Sequence, residues 1–521
     1  MNLLQRERTV FQALSGLGKL SFRRLAQATG LSKSSVARLY HRLTKRNQHP
    51  ESALWETEAG QKWLRLLVLA AIFVFALEGG LGCERLSRFF HLLRLQNHIG
   101  VSPTALRSLR TQMEEKILAY QQQHQLCHQE QTVEICAAAD ETFFEQVVLV
   151  MLDLASGYIF IEQFTDNRQY ETWQQQVQQA LAPIGLKVKY LVSDRAKALV
   201  KLALNDLGVP SIADLFHVLL ELSRSIGWEL NTLLGRLHKQ LKRASEQSAP
   251  PELIEQLEAS QQVLLDSLES YQKCRRDISL VLHPFAISDS QTQTTKEVKA
   301  SLSSSAQTLE ALRQTHQLRD RRNSLQKFKG QISALAAVID LWWDWVNSCL
   351  NLAECSPSIR EWAKQQLLPA IYWQQQLRRT KNPDLRQDYQ IACRQAFSSL
   401  DRHPVTASLT QATLHSWFDW ANWMVSKFQR CSSPVEGRNG YLSQLYHNRR
   451  GLSPTRLQVM TVIHNFSLQR SDGTTAAERL FGQQFPDLFE WVVSGMGELP
   501  LPRKSRKLPK PKTLAIPTVP A

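Results

Sequence analysis

The sequence lacks the short motifs that mark several common enzyme classes. It contains no Gly-x-Ser-x-Gly nucleophile elbow, no Walker A loop, no His-Glu-x-x-His zinc motif and no Gly-x-Gly-x-x-Gly dinucleotide loop. Serine hydrolases, nucleotide-driven enzymes, zinc proteases and Rossmann-type dehydrogenases therefore have no support from motifs.

Paired cysteines and long apolar runs are also missing. The eight cysteines include no Cys-x-x-Cys pair, and His124, Cys127 and His128 make only half of a zinc-like cluster. We therefore expect reduced thiols in a cytosol. The longest uncharged apolar run, Leu66–Leu77, is shorter than the ~20 residues of a membrane span, and no apolar signal core follows Met1. We expect a buried helix here and no membrane contact.

Acidic residues are the scarcer charge. The 521 residues include 47 Asp and Glu against 62 Lys and Arg, which gives a formal net charge of +15. Such an excess attracts a protein to polyanions of any sequence, with nucleic acid the first partner to consider. Because 43% of residues are hydrophobic and 21% charged, the chain should fold, and its length predicts several domains.

A helix-turn-helix is predicted near the N-terminus. Residues 22–43 fit two short helices separated by Gly30-Leu31-Ser32, with Ser32 capping the second helix. That helix would place polar and cationic side chains in a DNA major groove. The predicted DNA-binding residues are Lys33, Ser34, Ser35, Arg38 and Arg42. A plain helical hairpin with a solvated basic face is the alternative.

A second helix pair is predicted over 84–95 and 102–120. Ser102 followed by Pro103 is a strong signal for a helix start. The pair fits either a second helix-turn-helix or a helical spacer.

The pattern changes at Val133 to a mixed order of strands and helices. Three β-type runs are followed by helical and β-type segments in the order β-β-β-α-β-α-β, which predicts a mixed sheet with helices on its faces. From Asp214 to about Gln429 the pattern is helical. We expect the tryptophans of this stretch to be core residues.

Two aspartates mark the ends of predicted strands. Asp140 ends the first strand and Asp194 follows the fourth, so both should lie where an open sheet binds ligands. Paired carboxylates suit Mg²⁺, although a strand-end aspartate also caps turns. Asp214 ends the fifth strand with His217 one helical turn later, and the two either line this site or are structural. Asp153 is interpreted as a turn residue.

A third acid, Glu436, opens a predicted helix far downstream. Ser433 and Glu436 also fit a capping box, which requires no chemistry. Gly437 and Gly440 in the first turns are costly for a helix and suggest close approach of a nucleic-acid strand. The surrounding residues predicted to contact DNA are Arg438, Asn439, Arg449 and Arg450, with His447 and Asn448 in the same cluster.

The segments ADETFF (Asp140), LVSDRAKAL (Asp194), ADLFHVL (Asp214 to His217) and SPVEGRNGYLSQLYHNRRGL (Glu436) together resemble the DDE transposases of bacterial insertion sequences. The resemblance implies an α+β or α/β fold with an RNase H-like mixed-sheet catalytic core, an N-terminal helix-turn-helix region and a large all-α insertion. It further implies that Asp140, Asp194 and Glu436 are catalytic and hold two Mg²⁺ or Mn²⁺ ions for DNA strand cleavage and strand transfer.

The same resemblance sets the expected partners and domains. The partners would be the terminal inverted repeats of an element, target DNA and further copies of the chain in a dimer or larger assembly, in a bacterial, nucleoid-associated cytoplasmic location. The alternatives are a DNA-binding protein that has lost catalysis and an RNase H-fold nuclease specific for DNA structure. The expected domains are 1–50 (helix-turn-helix), 51–130 (helical), 131–225 (first part of the core), 226–425 (insertion), 426–485 (last part of the core) and 486–521 (C-terminal region with a basic, proline-rich disordered tail).

Overall fold

The computed structural model describes residues 3–18, 21–46, 49–125, 132–320, 322–447 and 452–502. The chain divides into two compact units. The first comprises Met1–Gln125, Leu445–Leu468 and Gln484–Ala521, and the second comprises Leu126–Gln444 and Gln469–Gln483. The first unit thus includes part of 426–485, the stretch that we expected to belong wholly to the catalytic core. The predicted basic tail from Arg503 lies outside the described residues.

The described part of the chain is mostly helical, with one sheet. The helices are α1 (Leu3–Leu17), α2 (Phe22–Thr29), α3 (Lys33–Arg46), α4 (Glu58–Ala71), α5 (Cys83–Leu92), α6 (Pro103–Gln125), α7 (Tyr170–Leu181), α8 (Lys197–Lys201), α9 (Leu215–Leu222), α10 (Trp228–Glu246), α11 (Pro251–Val281), α12 (Thr295–Thr315), α13 (Ser324–Leu352), α14 (Pro357–Trp362), α15 (Leu368–Arg379), α16 (Pro383–Arg402), α17 (Pro404–Ser408), α18 (Gln411–Ser426), α19 (Ser433–Leu445), α20 (Pro454–Phe466), α21 (Ala476–Phe481) and α22 (Leu488–Gly495). The strands are β1 (Val133–Phe143), β2 (Val147–Asp153), β3 (Ile159–Thr165), β4 (Leu186–Ser193) and β5 (Ser211–Ala213). Short 3-10 helices cover Pro50–Glu56, Leu95–Asn97 and Ala182–Ile184, and π-helical segments cover Ile72–Glu78, Leu202–Asp206, Ser223–Gly227 and Ala363–Leu367.

The predicted helix-turn-helix is present as α2 and α3, which pack on α1. Ser21 and Ser32 cap the two helices, and Gly30 between them takes the left-handed conformation with φ 67°. The buried residues in the core of this small domain are aliphatic, and those of α3 follow a spacing of three and four residues; Phe11 and Phe22 pack against them from partly buried positions. Its buried residues are Val10, Leu25, Val36, Leu39 and Leu43.

The apolar run Leu66–Leu77 lies in α4 and the π-helical segment that continues it. The stretch Glu58–Glu78 has the length and hydropathy of a membrane span, but half of its most apolar window is buried inside the protein. Phe73 packs edge-to-face on Phe489 of α22. Length and hydropathy alone are weak evidence for a membrane span, because core helices of soluble proteins share them.

The sheet has the order β3-β2-β1-β4-β5. β1 pairs antiparallel with β2, and β2 pairs antiparallel with β3, whereas β4 runs parallel to both β1 and β5. This arrangement confirms the predicted mixed sheet. The centre of β1 is fully buried from Ile135 to Ala139, as expected for a central strand covered on both faces.

One predicted strand boundary is wrong. β1 continues to Phe143, so Asp140 lies inside the strand opposite Val150 rather than at its end. The residues after Asp140 continue the pairing because β2 is long enough to match them. Asp194, in contrast, follows β4 directly as predicted.

The region between β5 and α19 is helical, as the pattern from Asp214 to about Gln429 predicted, and contains α9–α18. The expected insertion, 226–425, lies within it. Within the stretch 288–305, which is rich in Ser, Thr and Gln, Thr294 and Glu297 form a capping box that starts α12 at Thr295. Several tryptophans of the insertion are core residues, as expected, whereas Trp228 and Trp423 are exposed, contrary to that expectation. Those with at most 4% exposure are Trp342, Trp345, Trp362 and Trp373.

Candidate functional site

Three residues in register across the sheet form the floor of the candidate site. Asp140 of β1 pairs with Val150 of β2, which in turn pairs with Glu162 of β3. Directly paired residues point to the same face of a sheet, so the two acids share a face. Helix α19 brings Glu436, Arg438 and Asn439 to this face.

Asp140, His217 and Glu436 come together from three separate elements. Their ligand atoms all lie within 4.8 Å of one another, a spacing at which they could hold a metal ion. His217 Nε2 is 3.3 Å from Glu436 Oε1. The structure thus unites one predicted strand acid, the predicted downstream acid and a histidine that we expected at most to line the site.

Asp214 holds His217 in place. It is 1% exposed and caps α9 by accepting a hydrogen bond from the Phe216 amide. The amide and hydroxyl of Ser432, just before α19, also donate to this carboxylate, and His217 Nδ1 lies 2.6 Å from Asp214 Oδ2. Asp214 therefore ties α9 to the start of α19 and leaves His217 Nε2 facing Glu436.

Asp194 is not a member of the three-residue cluster. It is exposed, and its Oδ1 accepts a hydrogen bond from the Ala196 amide, 2.8 Å away, in a tight turn. The parallel register between β1 and β4 pairs Ala138 with Val192. Continued by two residues, it places Asp194 level with Asp140 at the edge of the same two strands.

Glu141 is a further acid at this edge, and the sequence interpretation missed it. It points away from Asp140 because successive strand residues alternate, and it accepts a hydrogen bond from Trp173 Nε1 at 3.3 Å. Burial raises the pKa of Glu141, and the charge of Asp194 acts in the same direction while Trp173 and Arg168 oppose it. The sequence signal for this acid was its position directly after Asp140.

Arg438 and Asn439 do not face a nucleic acid, contrary to our prediction. Arg438 is buried and forms a two-pronged ion pair with Glu162, with both N–O distances 2.6 Å. Asn439 Nδ2 donates to Asp140 Oδ2 at 2.9 Å. Both side chains point inward because they lie on the face of α19 that packs on the sheet. The sequence signal for this ion pair was Glu162, an acid within the otherwise apolar strand β3, which needs a buried cationic partner.

The capping box predicted for Glu436 is absent. Ser433 is the first residue of α19, and the Glu436 amide donates to the carbonyl of Ser432. The Glu436 carboxylate instead faces His217. Gly437 and Gly440 are exposed, and a Cβ at either position would meet no described atom within 4 Å apart from the adjoining residues and backbone of its own helix. The solvent side of α19 next to Glu436 is therefore smooth and open, as close approach of a strand requires.

The electrostatics of the cluster reflect its burial. Burial raises the pKa of the Asp140 carboxyl to about 7; the charge of Glu436 adds to this, whereas the Glu141 amide and His217 oppose it. The hydrogen bond to Asp214 raises the pKa of His217 to about 9, with further support from the charges of Asp140 and Glu436. Near neutral pH the histidine is thus a cation that reduces repulsion among the acids.

The predicted DNA-contacting residues of α3 fall into two groups. Lys33, Ser34 and Arg38 are exposed, and Ser35 is half-buried. Arg42 pairs with the buried Glu7 of α1, with Nε and Oε1 2.9 Å apart, and so has a structural role that we did not predict. Of the other predicted DNA-binding residues, Arg449 and Arg450 lie outside the described residues.

Comparison with known protein families identifies two regions of the chain. Residues 4–47 match the IclR helix-turn-helix domain, and residues 363–508 match a family of unknown function, DUF6399. No curated protein and no solved structure matches the chain. The second match contains Glu436, whereas Asp140, Asp194 and His217 lie outside both. The N-terminal region of the chain is therefore a helix-turn-helix domain of the IclR type, which suggests DNA as a partner.

Proposed function

We propose that this protein is a DNA transposase that binds the ends of an insertion element and catalyses metal-dependent strand cleavage and strand transfer. The observation that carries the proposal is that the ligand atoms of Glu436, Asp140 and His217 lie within 4.8 Å of one another. In the sequence, Asp140 and Glu436 are separated by most of the second unit. Residues so distant in sequence meet at the same edge of one sheet.

The sheet supports an RNase H-like core for this unit. Three strands joined as antiparallel neighbours are followed by two parallel strands, with helices between them, as the resemblance implies. Asp140 and Asp194 belong to adjacent parallel strands, and Glu436 follows the insertion. This order along the chain supports the DDE pattern that the resemblance implies, although Asp194 itself lies outside the three-residue cluster.

The donor set fits at least one divalent cation. Asp140 and Glu436 supply carboxylate oxygens, Asp194 is exposed at the same edge, and His217 can supply an imidazole nitrogen. Oxygen ligands suit Mg²⁺, and an added nitrogen favours Mn²⁺ over Mg²⁺. A bound cation would supply charge stabilisation for phosphoryl transfer.

The protein's own groups have separate roles around the scissile phosphate. Asn439 fixes the rotamer of Asp140, and Asp214 orients the ring of His217. His217 Nε2 faces the site and can take or give a proton. The open side of α19 at Gly437 and Gly440 leaves room for a nucleotide strand beside Glu436.

DNA recognition belongs to the helix-turn-helix domain in this proposal. The exposed Lys33, Ser34 and Arg38 lie at the start and along one side of α3, where they can contact base edges and phosphates. Two element ends must be joined in one reaction, so the active species would be a dimer or a larger assembly.

The test uses purified full-length protein and DNA from both sides of its reading frame. With Mn²⁺ or Mg²⁺, we expect nicking at a fixed position and joining of the freed 3′ end to a second duplex, both absent in Asp140→Asn and Glu436→Gln. Specific binding without nicking in either metal would support a DNA-binding protein without catalysis. Preferential cutting of branched DNA of any sequence would support a structure-specific nuclease.

A further inference from the structure

The helix that begins at the candidate site continues far into the insertion. α9, the π-helical segment Ser223–Gly227 and α10 follow one another without a break. Asp214 caps the start of this rod, and His217 lies in its first turn. At 1.5 Å per residue, the rod carries the chain ~40 Å from His217 to Arg243.

One side of α10 is cationic. Arg236, Lys239 and Arg243 are exposed and follow a spacing of three and four residues, which places them on one helix face. None of the three has an ion-pair partner among the described residues. Lys242 differs, because it lies within 3.9 Å of Glu246. We refer to Arg236, Lys239 and Arg243 as the α10 stripe.

The antiparallel neighbour of α10 has the opposite charge. The first twenty residues of α11 contain only acidic charges, all exposed, and no lysine or arginine. These acids are Glu252, Glu255, Glu258, Asp266 and Glu269. The two-helix hairpin therefore has a basic side on α10 and an acidic side on α11. A helical spacer that only needs to be soluble does not require such a separation of charges.

We infer that the α10 stripe binds the phosphate backbone of the DNA duplex on which the candidate site acts. The inference rests on the proposed function for the identity of that duplex. The stripe spans ~10 Å, which matches about three phosphates at ~3.4 Å per nucleotide along one strand. Its distance from His217, ~28 to ~39 Å along the rod, places these contacts about eight to eleven nucleotides from the reacting phosphate.

A competing occupant is the acidic side of α11 in a second copy of the chain. The same charges would fit such an interface. DNA is favoured because the stripe belongs to the rod that begins at the site, and because the protein as a whole carries a net charge of +15.

The test compares two full-length variants that lose equal charge within the insertion. The first is Arg236→Gln/Lys239→Gln/Arg243→Gln. The matched control is Lys381→Gln/Arg386→Gln/Arg394→Gln, whose parent residues are exposed on or next to α16. Binding to a 60-base-pair duplex is measured by fluorescence anisotropy across a salt series. We expect the slope of log affinity against log salt to fall by ~2.7 for the first variant, with at least about tenfold weaker binding at low salt, and little change for the control.

Equal losses in the two variants, or an unchanged slope in the first, would overturn the inference. So would loss of self-association in the first variant, measured by light scattering, with DNA affinity unchanged, because that result assigns the stripe to a second copy. A photo-crosslinking residue at position 239, ~33 Å along the rod from His217, should label DNA about ten nucleotides from the nick. Failure of the proposed function is seen separately, as absence of metal-dependent nicking by the unaltered protein.

Discussion

Arg438 of α19 and Glu162 of β3 form a two-pronged ion pair in the interior of the second unit, with Nε–Oε1 and Nη2–Oε2 distances of 2.6 Å. The side chains are 5% and 0% exposed. Arg438 also lies 5.1 Å from the ring centroid of Tyr441. Since Glu436 and Asn439 are its near neighbours on α19, this pair fixes the helix that supplies the third acid.

Removal of one member of the pair should destabilise the second unit strongly. We expect Arg438→Met to lower the free energy of unfolding by ~3–5 kcal/mol, because the buried Glu162 carboxylate loses its charged partner and both hydrogen bonds of this pair. Arg438→Met/Glu162→Leu should recover most of the loss, since two apolar groups leave no buried charge. Denaturant unfolding measures both variants, with Glu246→Gln at the exposed Lys242 pair as a control that costs less than ~1 kcal/mol. An Arg438→Met cost as small as that of the control would show that the pair does not hold α19.

Much of the fold followed from periodicity, whereas the inner contacts of the site did not. The alternation and turn signals after Val133 predicted five strands in the right order, and Ser32 and Ser102 located two helix starts. Arg438 and Asn439 were misassigned because their residue types suit phosphate contact equally well. Only tertiary packing decides which face of α19 meets the sheet.

His217 is a second case in which local sequence predicts a neighbour but not a tertiary contact. Asp214 and His217 could be identified as neighbours at a helix start, since their spacing is local. The approach of His217 to Glu436 depends on how the insertion returns the chain to the core, and nothing local encodes it. The exposed position of Asp194 likewise depends on the turn after β4.

Asn439→Leu should weaken metal binding with little effect on stability. The substitution removes the hydrogen bond to Asp140, and it also removes Asn439 Oδ1, a buried oxygen with no hydrogen-bond partner among the described residues. The two effects on folding oppose each other. Without the amide, the Asp140 carboxylate loses its orientation, so we expect a 10- to 100-fold loss in Mn²⁺ affinity by calorimetry. Unchanged affinity would mean that Asn439 does not position Asp140.

Metal affinity should rise with pH. A carboxyl whose pKa is raised to about 7 is mostly protonated at pH 6 and mostly ionised at pH 8, and a cation binds the ionised form. We therefore expect Mn²⁺ affinity to increase roughly tenfold over this range, with proton release detected by calorimetry in two buffers of different ionisation enthalpy.

His217, with a pKa raised to about 9, should extend the rise above pH 8 if its Nε2 is a ligand. His217→Gln should then remove only that upper part, and a flat profile for the unaltered protein would contradict the assignment of Asp140.

The two arginines of α3 should respond differently to substitution. Arg38 is exposed, so Arg38→Gln should weaken binding to a DNA duplex and leave the thermal unfolding of the protein unchanged. Arg42→Gln should instead destabilise the helix-turn-helix domain by ~1–3 kcal/mol, because the carboxylate of Glu7, which is 2% exposed, loses its ion pair with Arg42. Glu7→Gln/Arg42→Gln replaces the buried carboxylate with a neutral amide and should restore most of that stability. If Arg42→Gln weakens DNA binding while the domain unfolds as before, then Arg42 contacts DNA, and the ion pair with Glu7 must open when α3 binds.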